Sequence, residues 1–240
     1  MMIEIEWAGQ VDYNAAWEWQ KSLVAERTES PDVAGKFLLL EHPHTYTLGR
    51  RGKMENLLWD EATLAEKGVS VYRVDRGGDI TYHGPGQLVG YPILNLAHLG
   101  RYGLSRIKAY VRDIEELLIR AIAPFGIEGR RYDGFTGVWV DTPDGLEKIA
   151  AIGVYINNRG VTSHGFALNV SPDLSYFSGI VPCGIADHGV TSMEKVLGYP
   201  IPTTDLIPHV ITAFEQVFQV ETKIEQEIEI EEELSSISTR

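Results

Sequence analysis

Between two predicted strands the sequence reads Arg76-Gly77-Gly78-Asp79-Ile80-Thr81-Tyr82-His83-Gly84-Pro85-Gly86-Gln87. Five of these twelve residues are glycine or proline, and charged and hydroxyl side chains lie between them. The segment matches neither a Gly-x-x-x-x-Gly-Lys-Ser/Thr phosphate loop nor a Gly-x-Gly-x-x-Gly dinucleotide motif. One interpretation is a bulged turn between two strands. The other is a ligand-binding segment whose glycine backbone approaches a ligand closely, with Thr81, Tyr82 and His83 along one wall.

Outward from this glycine-rich segment, hydrophobic periodicity predicts strands and helices that do not alternate strictly. The pattern predicts an edge strand at 2–7 and further strands at 35–40, 69–74, 88–96, 138–140, 149–156 and 161–168. It predicts helices at 13–25, 60–67, 105–123, 191–197 and 204–218. We therefore expect an α+β fold in which a mixed β-sheet is flanked by helices. We expect one catalytic domain over 1–220, followed by an acidic C-terminal tail at 221–240 that forms either a solvated edge strand or a frayed end.

Composition restricts the classes of function. The chain has 240 residues, of which 44% are hydrophobic, and a formal net charge of −13. That charge argues against general attraction to nucleic acid or to anionic membranes. A single cysteine indicates a reducing compartment. The first residues lack the pattern of a signal peptide and no stretch is apolar enough to span a membrane, so we expect a soluble cytoplasmic protein.

The single cysteine, Cys183, lies between Pro182 and Gly184, which is the setting of a tight turn. A free cysteine is most often a small buried hydrophobic residue. The alternative is a nucleophile that a rigid turn presents to a substrate. The cysteine alone favours the first interpretation, so the choice depends on other residues.

Lys148 precedes an otherwise apolar strand segment, Ile149-Ala150-Ala151-Ile152-Gly153. A lysine at the end of a strand usually extends its amine to water. If Lys148 instead points into a cavity beside a thiol, each partner stabilises the charged form of the other, and the thiol becomes a thiolate without a histidine. His164 and His83 are alternative partners for a cysteine nucleophile. His42, His44 and His188 do not form a usual zinc-binding pattern, and we expect no metal site.

Four segments in this order resemble the octanoyltransferase family of lipoate biosynthesis. They are the glycine-rich segment, Lys148-Ile149-Ala150, His164-Gly165-x-Ala167-Leu168-Asn169 and Pro182-Cys183-Gly184. The resemblance extends from about Gly35 to about Leu197. It implies a fold similar to the catalytic domain of the biotin and lipoate protein ligases.

The resemblance also implies a reaction. An octanoyl or lipoyl group would move from acyl carrier protein to a lysine of a lipoyl domain, with lipoyl domains of 2-oxoacid dehydrogenase complexes and the glycine cleavage H protein as acceptors. Cys183 would carry the acyl group as a thioester, and Lys148 would be its base and charge partner. No cofactor is expected. The acyl pocket would be formed by Arg76 to His83, by Ala151, Ile152 and Gly153, and by His164, Gly165, Phe166 and Ala167.

Two other functions remain open from the sequence. An ATP-dependent lipoate or biotin ligase of the same fold would need an adenylate site and no nucleophilic cysteine. A non-catalytic protein that binds acyl carrier protein or lipoyl domains would form no acyl adduct. Because such partners are acidic, as the resemblance implies, we expect them to contact the local basic residues Arg50, Arg51 and Lys53.

Overall fold

The computed structural model describes residues 2–100, 102, 106–181 and 188–225 of the chain. Strands in these ranges are β1 (Met2–Gln10), β2 (Gly35–Glu41), β3 (Thr45–Leu48), β4 (Ser70–Arg73), β5 (Ile80–His83), β6 (Gln87–Ile93), β7 (Arg130–Tyr132), β8 (Phe135–Thr142), β9 (Gly145–Ile156), β10 (Thr162–Asn169), β11 (Gly189–Val190) and β12 (Glu221–Ile224). The α-helices are α1 (Tyr13–Glu29), α2 (Glu61–Glu66), α3 (Arg106–Ile122), α4 (Met193–Leu197) and α5 (Thr203–Phe218). Short 3₁₀ helices lie at Met54–Asn56, Ala123–Phe125 and Leu174–Gly179.

The main sheet has the strand order β12-β1-β2-β6-β10-β9-β8-β7, and β11 also pairs with β9. β1 runs parallel to both β2 and β12, whereas the pairs from β2–β6 to β7–β8 are antiparallel. The predicted α+β class with a mixed sheet is therefore confirmed. β1 is not the edge strand that its sequence suggested, because β12 pairs along its outer side.

One face of the main sheet is covered by α3 and α5, and the other by α1. The apolar residues of α3 follow the three-to-four spacing of an amphipathic helix, and Ile114, Leu117 and Leu118 are fully buried. They share a hydrophobic core with α5 and with the inward-facing residues of β2, β6, β8, β9 and β10. A smaller core lies under α1. Among the helices described, none combines the length and the apolar character that crossing a bilayer requires.

A second sheet, of order β4-β3-β5, lies beside the main one. Its core contains Tyr46, Leu48, Leu64, Ile80 and Tyr82, all buried. The sequence predicted β4 but not β3 or β5. A four-residue strand between glycines gives little periodicity, and the pairing of Ile80–His83 with Thr45–Leu48 is set by tertiary contacts.

Residues directly after the expected domain boundary at 220 contact the main sheet. β12 pairs in register with Met2 to Ile5 of β1, and the buried Lys36 amine forms ion pairs with Glu6, at 2.7 Å, and with Glu225. These contacts make residues 221–225 part of the main sheet and its rim. The rest of the expected tail, 226–240, lies outside the described residues.

Candidate active site

A cavity of about 350 Å³ lies where the glycine-rich segment meets β9 and β10. Most of the predicted site residues line it, although they come from three separate stretches of the chain. The lining includes Arg76, Gly77, Gly78, Thr81, His83, Lys148, Ala151, Ile152, Gly153, His164, Gly165, Phe166 and Ala167. The structure therefore brings together segments that are up to ninety positions apart in the sequence.

Asp79, Ile80 and Tyr82, which were also predicted to bind substrate, lie outside this lining. The Asp79 carboxylate accepts hydrogen bonds from the Asn56 side chain at 2.6 Å and from the backbone N–H of Ile80 at 2.8 Å. Ile80 and Tyr82 are fully buried in the core of the small sheet. The Tyr82 hydroxyl is 2.8 Å from His44 Nδ1. These three residues anchor the glycine-rich segment through the small sheet and the hydrogen bonds of Asp79, on the side away from the cavity.

A β-bulge in β9 determines where Lys148 points. Val138 of β8 pairs with Ala150, but the next residue, Trp139, pairs with Lys148, so Ile149 is an extra residue on β9. Adjacent residues of β8 face opposite sides of the sheet, and paired residues share a side. Ala150 and Val138 belong to the core against α3 and α5. Lys148 consequently faces the opposite side.

The same face carries Ala151 and Gly153, because side chains alternate along the strand after Ala150. The bulge thus places the lysine and these two small residues on one wall of the cavity. Without the extra residue, a regular strand would turn Lys148 toward the hydrophobic core. Bulges frequently re-aim a side chain next to an active site.

The Lys148 side chain runs from β9 past Gly137 of β8. Its Nζ lies 4.7 Å from the centroid of the Trp139 ring, whose face attracts a cation. Gly137 has φ +127°, and a Cβ atom there would lie 2.5 Å from the Ala150 carbonyl oxygen and 3.4 Å from Lys148 Cε. A glycine is therefore required where β8 passes the bulge and the lysine stem.

The glycine-rich segment closes over β9. The Gly77 N–H donates to the Val154 carbonyl at 3.0 Å, and a Cβ atom on Gly153 would lie 3.0 Å from both Arg76 Cδ and the Gly77 oxygen. The buried Arg76 guanidinium donates to the Thr47 carbonyl at 2.6 Å, to Thr47 Oγ1 at 2.8 Å and to the Gly77 carbonyl at 2.9 Å. Arg76 therefore ties the segment to β3 of the small sheet.

A chain of buried hydrogen bonds runs from the glycine-rich segment to the strand that carries Lys148. His83 Nδ1 donates to Gln87 Oε1 at 2.9 Å, and Gln87 Nε2 donates to Asn169 Oδ1 at 2.8 Å. Asn169 Nδ2 donates to the Thr191 carbonyl at 2.9 Å, and the Thr191 N–H donates to the Lys148 carbonyl at 2.9 Å. Burial holds the pKa of His83 well below its usual value, so this ring is neutral.

His164 has an unusual backbone and is 2% exposed. Its φ is +55°, a left-handed conformation that is uncommon for a residue other than glycine. The backbone N–H donates to Gln20 Oε1 of α1 at 2.8 Å, and Nε2 is 2.8 Å from Asp75 Oδ1. Burial lowers the pKa of His164, and the hydrogen bond from His164 lowers the pKa of Asp75.

Several residues of the cavity were not anticipated from the sequence, and they come from elements without a local motif. Tyr91 of β6 is buried beside the cavity, and its hydroxyl is 2.8 Å from His42 Nε2. Nδ1 of the same histidine is 2.7 Å from the Val11 carbonyl, and burial lowers the pKa of His42 to about 4. The other lining residues outside the prediction are Tyr13, Arg51, Ile107, Val111, Gly134, Phe135, Thr136 and Val154.

Cys183 lies outside the described residues, but both flanks of its segment are fixed. On one side, the Val181 N–H donates to the Asn56 carbonyl at 2.9 Å. On the other, the His188 ring lies 5.5 Å from the Trp139 ring, and Val190 pairs with Lys148. The segment that contains Cys183 is therefore flanked by Val181, beside the 3₁₀ helix Met54–Asn56, and by Val190, beside Lys148.

The fold and the cavity place the chain in a known class. The sequence model of a protein family, described as the lipoyl protein ligase A/B catalytic domain, matches residues 12–215 of this chain. Solved structures agree in fold: a bipartite lipoate protein ligase from Thermoplasma acidophilum has a TM-score of 0.71 at 16% identity, covering 95% of this chain and 89% of that one. A lipoate-protein ligase A bound with ATP has a TM-score of 0.70 at 14% identity, covering 95% and 90%. The predicted similarity to the lipoate ligase fold is confirmed.

Curated relatives with much higher sequence identity show which family within this class the chain belongs to. An octanoyltransferase from Chloroflexus aurantiacus is 45% identical over 223 residues, which cover 93% of this chain and 97% of the relative. One from Rubrobacter xylanophilus is 46% identical over 210 residues, covering 87% and 90%. The chain therefore belongs to the octanoyltransferase family within the lipoyl protein ligase A/B catalytic domains, as its motifs suggested.

Proposed function

We propose that this protein transfers an octanoyl group from octanoyl-acyl carrier protein to a lysine of lipoyl domains, through a thioester on Cys183. The observation that carries the proposal is the bulge that turns Lys148 onto the cavity wall. A lysine whose side chain only extends to water would not need a bulge to redirect it. Membership of the octanoyltransferase family supports the same activity.

In the first half-reaction the Cys183 thiolate attacks the thioester carbonyl of the donor. A bond forms between the sulfur and the octanoyl carbon, and the carrier's thiolate leaves and takes up a proton. In the second, the acceptor lysine amine attacks the octanoyl-enzyme, and the Cys183 thiolate leaves as the amide forms. Exchange between two thioesters is nearly balanced in energy, and amide formation then drives the transfer forward.

Lys148 is the group that makes Cys183 a nucleophile and moves its protons. An ammonium beside a thiol favours the thiolate. The pairing of Val190 with Lys148 and the position of His188 support a close approach, because both residues follow the Cys183 segment. Lys148 gives its proton to the departing thiolate of the carrier in the first step, and the neutral amine that results accepts a proton from the acceptor lysine in the second, which restores the thiolate–ammonium pair.

The acyl chain occupies the cavity. Small residues such as Ala151 and Ala167 and apolar side chains such as Ile152 and Phe166 line it. Each methylene that leaves water contributes about 0.8 kcal/mol, so an octanoyl chain gains several kcal/mol from burial. The cavity of about 350 Å³ has room for that chain and for part of the carrier's arm.

The donor and acceptor proteins contact the surface around Arg50 and Arg51 at the mouth of the cavity. Both residues are exposed, and Arg51 lines the cavity. The Lys53 amine is 3.0 Å from Glu55, so it offers less free positive charge than the arginines. We propose acidic acyl carrier protein as the donor, and lipoyl domains of 2-oxoacid dehydrogenase complexes and the glycine cleavage H protein as acceptors. The reaction then takes place in the cytoplasm.

The ATP-dependent ligase is the alternative that the fold itself suggests, because the structures with TM-scores of 0.71 and 0.70 are ligases. Their identity to this chain is 16% and 14%, which supports the shared fold alone. The relatives at 45–46% identity are octanoyltransferases, so transfer is the better supported activity.

An assay without nucleotide separates the two activities. The protein is incubated with octanoyl-acyl carrier protein and a lipoyl domain, and the mass of the lipoyl domain is followed. Octanoylation of the domain without ATP is the expected result. Product that forms only with free octanoate and ATP would identify a ligase instead, and no product in either mixture would leave a binding protein.

Alkylation of Cys183 tests its pairing with Lys148. Iodoacetamide labelling is followed from about pH 6 to about pH 9, a range that brackets the reference thiol pKa. The Lys148→Ala variant should be labelled more slowly than the parent at neutral pH, because its thiolate fraction is smaller. Equal rates across the whole range would remove Lys148 as the partner.

A further inference from the structure

Glu115 of α3 is a buried carboxylate with no part in the reaction described above. Its side chain is 1% exposed, and a carboxylate in such a place is costly unless protein groups compensate it. Oε2 accepts a hydrogen bond from Arg112 Nη1 at 2.7 Å and lies 3.2 Å from Arg131 Nε. Oε1 accepts the backbone N–H of Gly137 at 3.1 Å. One oxygen therefore pairs with two arginines, and the other binds the backbone of β8.

The N–H of Gly137 needs an acceptor from outside the sheet. β7 pairs with β8 at Trp139 and at Phe135 but shifts register between them, and β9 pairs with β8 only from Val138 onward. Gly137 thus belongs to neither set of pairs, and its N–H donates to Glu115 instead. Because a buried N–H without an acceptor is costly, this hydrogen bond stabilises the irregular path that β8 takes at Gly137.

The side chain of Lys148 lies against the same part of β8. A Cβ atom on Gly137 would lie 3.4 Å from Lys148 Cε and 3.5 Å from its Cδ, so the glycine backbone borders the lysine stem. The Trp139 ring, two residues further along β8, has its centroid 4.7 Å from Lys148 Nζ. The position of the lysine amine therefore depends on the path of β8 between Gly137 and Trp139.

We propose that Glu115 is a positioning residue for acyl transfer, because its hydrogen bond to Gly137 holds β8 in the path that keeps the Lys148 amine at the cavity. Glu115 is not one of the residues that line the cavity, so it acts on the reaction through Gly137 and Lys148. The inference rests on the proposed role of Lys148 as the charge partner of Cys183. The competing explanation is that Glu115 only joins α3 to β7 through its ion pair with Arg131.

Substitutions separate the hydrogen bond to Gly137 from the charge of Glu115. Glu115→Gln keeps an oxygen that can accept the Gly137 N–H but removes the charge, whereas Glu115→Leu removes both. Glu115→Asp is the second variant without the hydrogen bond, for use if the leucine variant does not fold. It keeps the charge but withdraws the carboxylate from Gly137 by about 1.5 Å, the length of one carbon–carbon bond.

The matched control is Glu116→Leu. This neighbouring carboxylate of α3 pairs with Arg120 and with Arg131, each at 2.8 Å, while the Gly137 N–H donates to Glu115. Its removal therefore disturbs the same helix and one of the same arginines but leaves the hydrogen bond to Gly137 in place.

Iodoacetamide labelling of Cys183 against pH reports on the position of the Lys148 amine. A purely structural role of Glu115 would lower stability without moving the labelling midpoint of the folded protein. In the parent that midpoint should lie below about 8.5, the reference thiol pKa, and in Glu115→Leu and Glu115→Asp it should rise toward that value. The midpoints of Glu115→Gln and Glu116→Leu should stay close to that of the parent.

Steady-state transfer provides a second readout. Misplacing a catalytic group by about 1 Å can cost about 100-fold in rate, so kcat for octanoyl transfer should fall about 10- to 100-fold in the leucine and aspartate variants of Glu115. KM for octanoyl-acyl carrier protein should change little, because Glu115 does not line the cavity.

Lys148→Ala, labelled in parallel, separates a failure of this inference from a failure of the proposed pairing. If Lys148→Ala raises the midpoint but Glu115→Leu and Glu115→Asp do not, Glu115 does not position the lysine. An equal rise in Glu115→Gln would assign the effect to the ion pairs, and an equal rise in Glu116→Leu would assign it to α3 as a whole; either result overturns the inference. An unchanged midpoint in Lys148→Ala would remove the pairing of Lys148 with Cys183 and the positioning role together.

Discussion

The two walls of the cavity are built in different ways. On the wall formed by the glycine-rich segment, Arg76, His83 and Gln87 are held by hydrogen bonds to neighbouring protein groups. On the wall formed by β9 and β10, the structure departs from regularity twice, at the bulge beside Lys148 and at the left-handed His164. We infer that the first wall acts as a scaffold and that the irregular second wall presents the groups proposed to meet the substrate.

The largest effect should come from the irregular wall. Lys148→Met keeps an unbranched apolar stem and removes the amine, so octanoyl transfer should fall about 10²- to 10⁴-fold, the usual contribution of a general base. Single-turnover transfer measures the loss, and urea unfolding should show little change in stability. Lys108→Met on the exposed face of α3 is the matched control. If Lys148→Met transferred octanoyl at the parent's rate, the lysine amine would not be needed for transfer, and the proposed difference in function between the two walls would be wrong.

A substitution in β8, at Gly137, should disturb the bulge in β9. Gly137→Ala places a Cβ atom 2.5 Å from the Ala150 carbonyl oxygen at a residue whose φ is +127°. Overpacking and backbone strain together should lower the free energy of unfolding by about 3 kcal/mol. Gly126→Ala separates the two causes, because Gly126 also has a positive φ, +79°, but no atom lies within 4 Å of its added Cβ, and it lies outside the cavity lining.

The Gly126 variant should lose only about 1 kcal/mol and retain transfer activity. The Gly137 variant should lose transfer activity as well as stability, because Lys148 would be redirected. Equal losses of stability in the two variants, measured by urea unfolding, would mean that the close approach at the bulge is unimportant.

On the scaffold wall, Gln87→Leu should affect stability more than chemistry. The substitution leaves the His83 Nδ1–H and Asn169 Oδ1 without their partners, and each such buried group costs about 1–3 kcal/mol. Urea unfolding should show a loss of about 2–3 kcal/mol, whereas Gln10→Leu at an exposed position should show almost none. A stable Gln87→Leu protein would show that the hydrogen-bond chain contributes little.

The smallest predicted effect is a pH dependence of stability from His42. Its pKa is lowered by burial to about 4 in the folded protein, against about 6.5 when unfolded. Between these values the unfolded chain binds more protons, so the stabilisation is complete above about pH 6.5 and is lost as pH falls toward about 4. Going from pH 7 to pH 5 should remove about 2 kcal/mol through this residue.

Urea unfolding of the parent and of His42→Gln at both pH values measures that contribution. The parent should lose about 2 kcal/mol more than the variant between pH 7 and pH 5. The same loss of unfolding free energy in both proteins would show that folding does not lower the pKa of His42 and that water reaches this buried part of the structure.

The sequence predicted much of the fold, because long periodic segments such as the one at 105–123 specify their own secondary structure. It also selected the segments that meet at the cavity, since each contains an unusual combination of glycine with charged or polar residues. It did not predict the bulge at Ile149, because a register shift depends on which residues of β8 lie opposite. Asp75 and Gln20 were missed for the same reason: their roles exist only through contact with His164.

The most direct test of the account is the mass of the enzyme itself. The parent protein is mixed with octanoyl-acyl carrier protein, without ATP and without an acceptor, and analysed by intact mass and peptide mapping. We predict that the parent gains one octanoyl group on the peptide that contains Cys183 and that Cys183→Ser gains none. A parent that stays unmodified while it still octanoylates a lipoyl domain, or an adduct on a residue other than Cys183, would contradict covalent transfer through this cysteine.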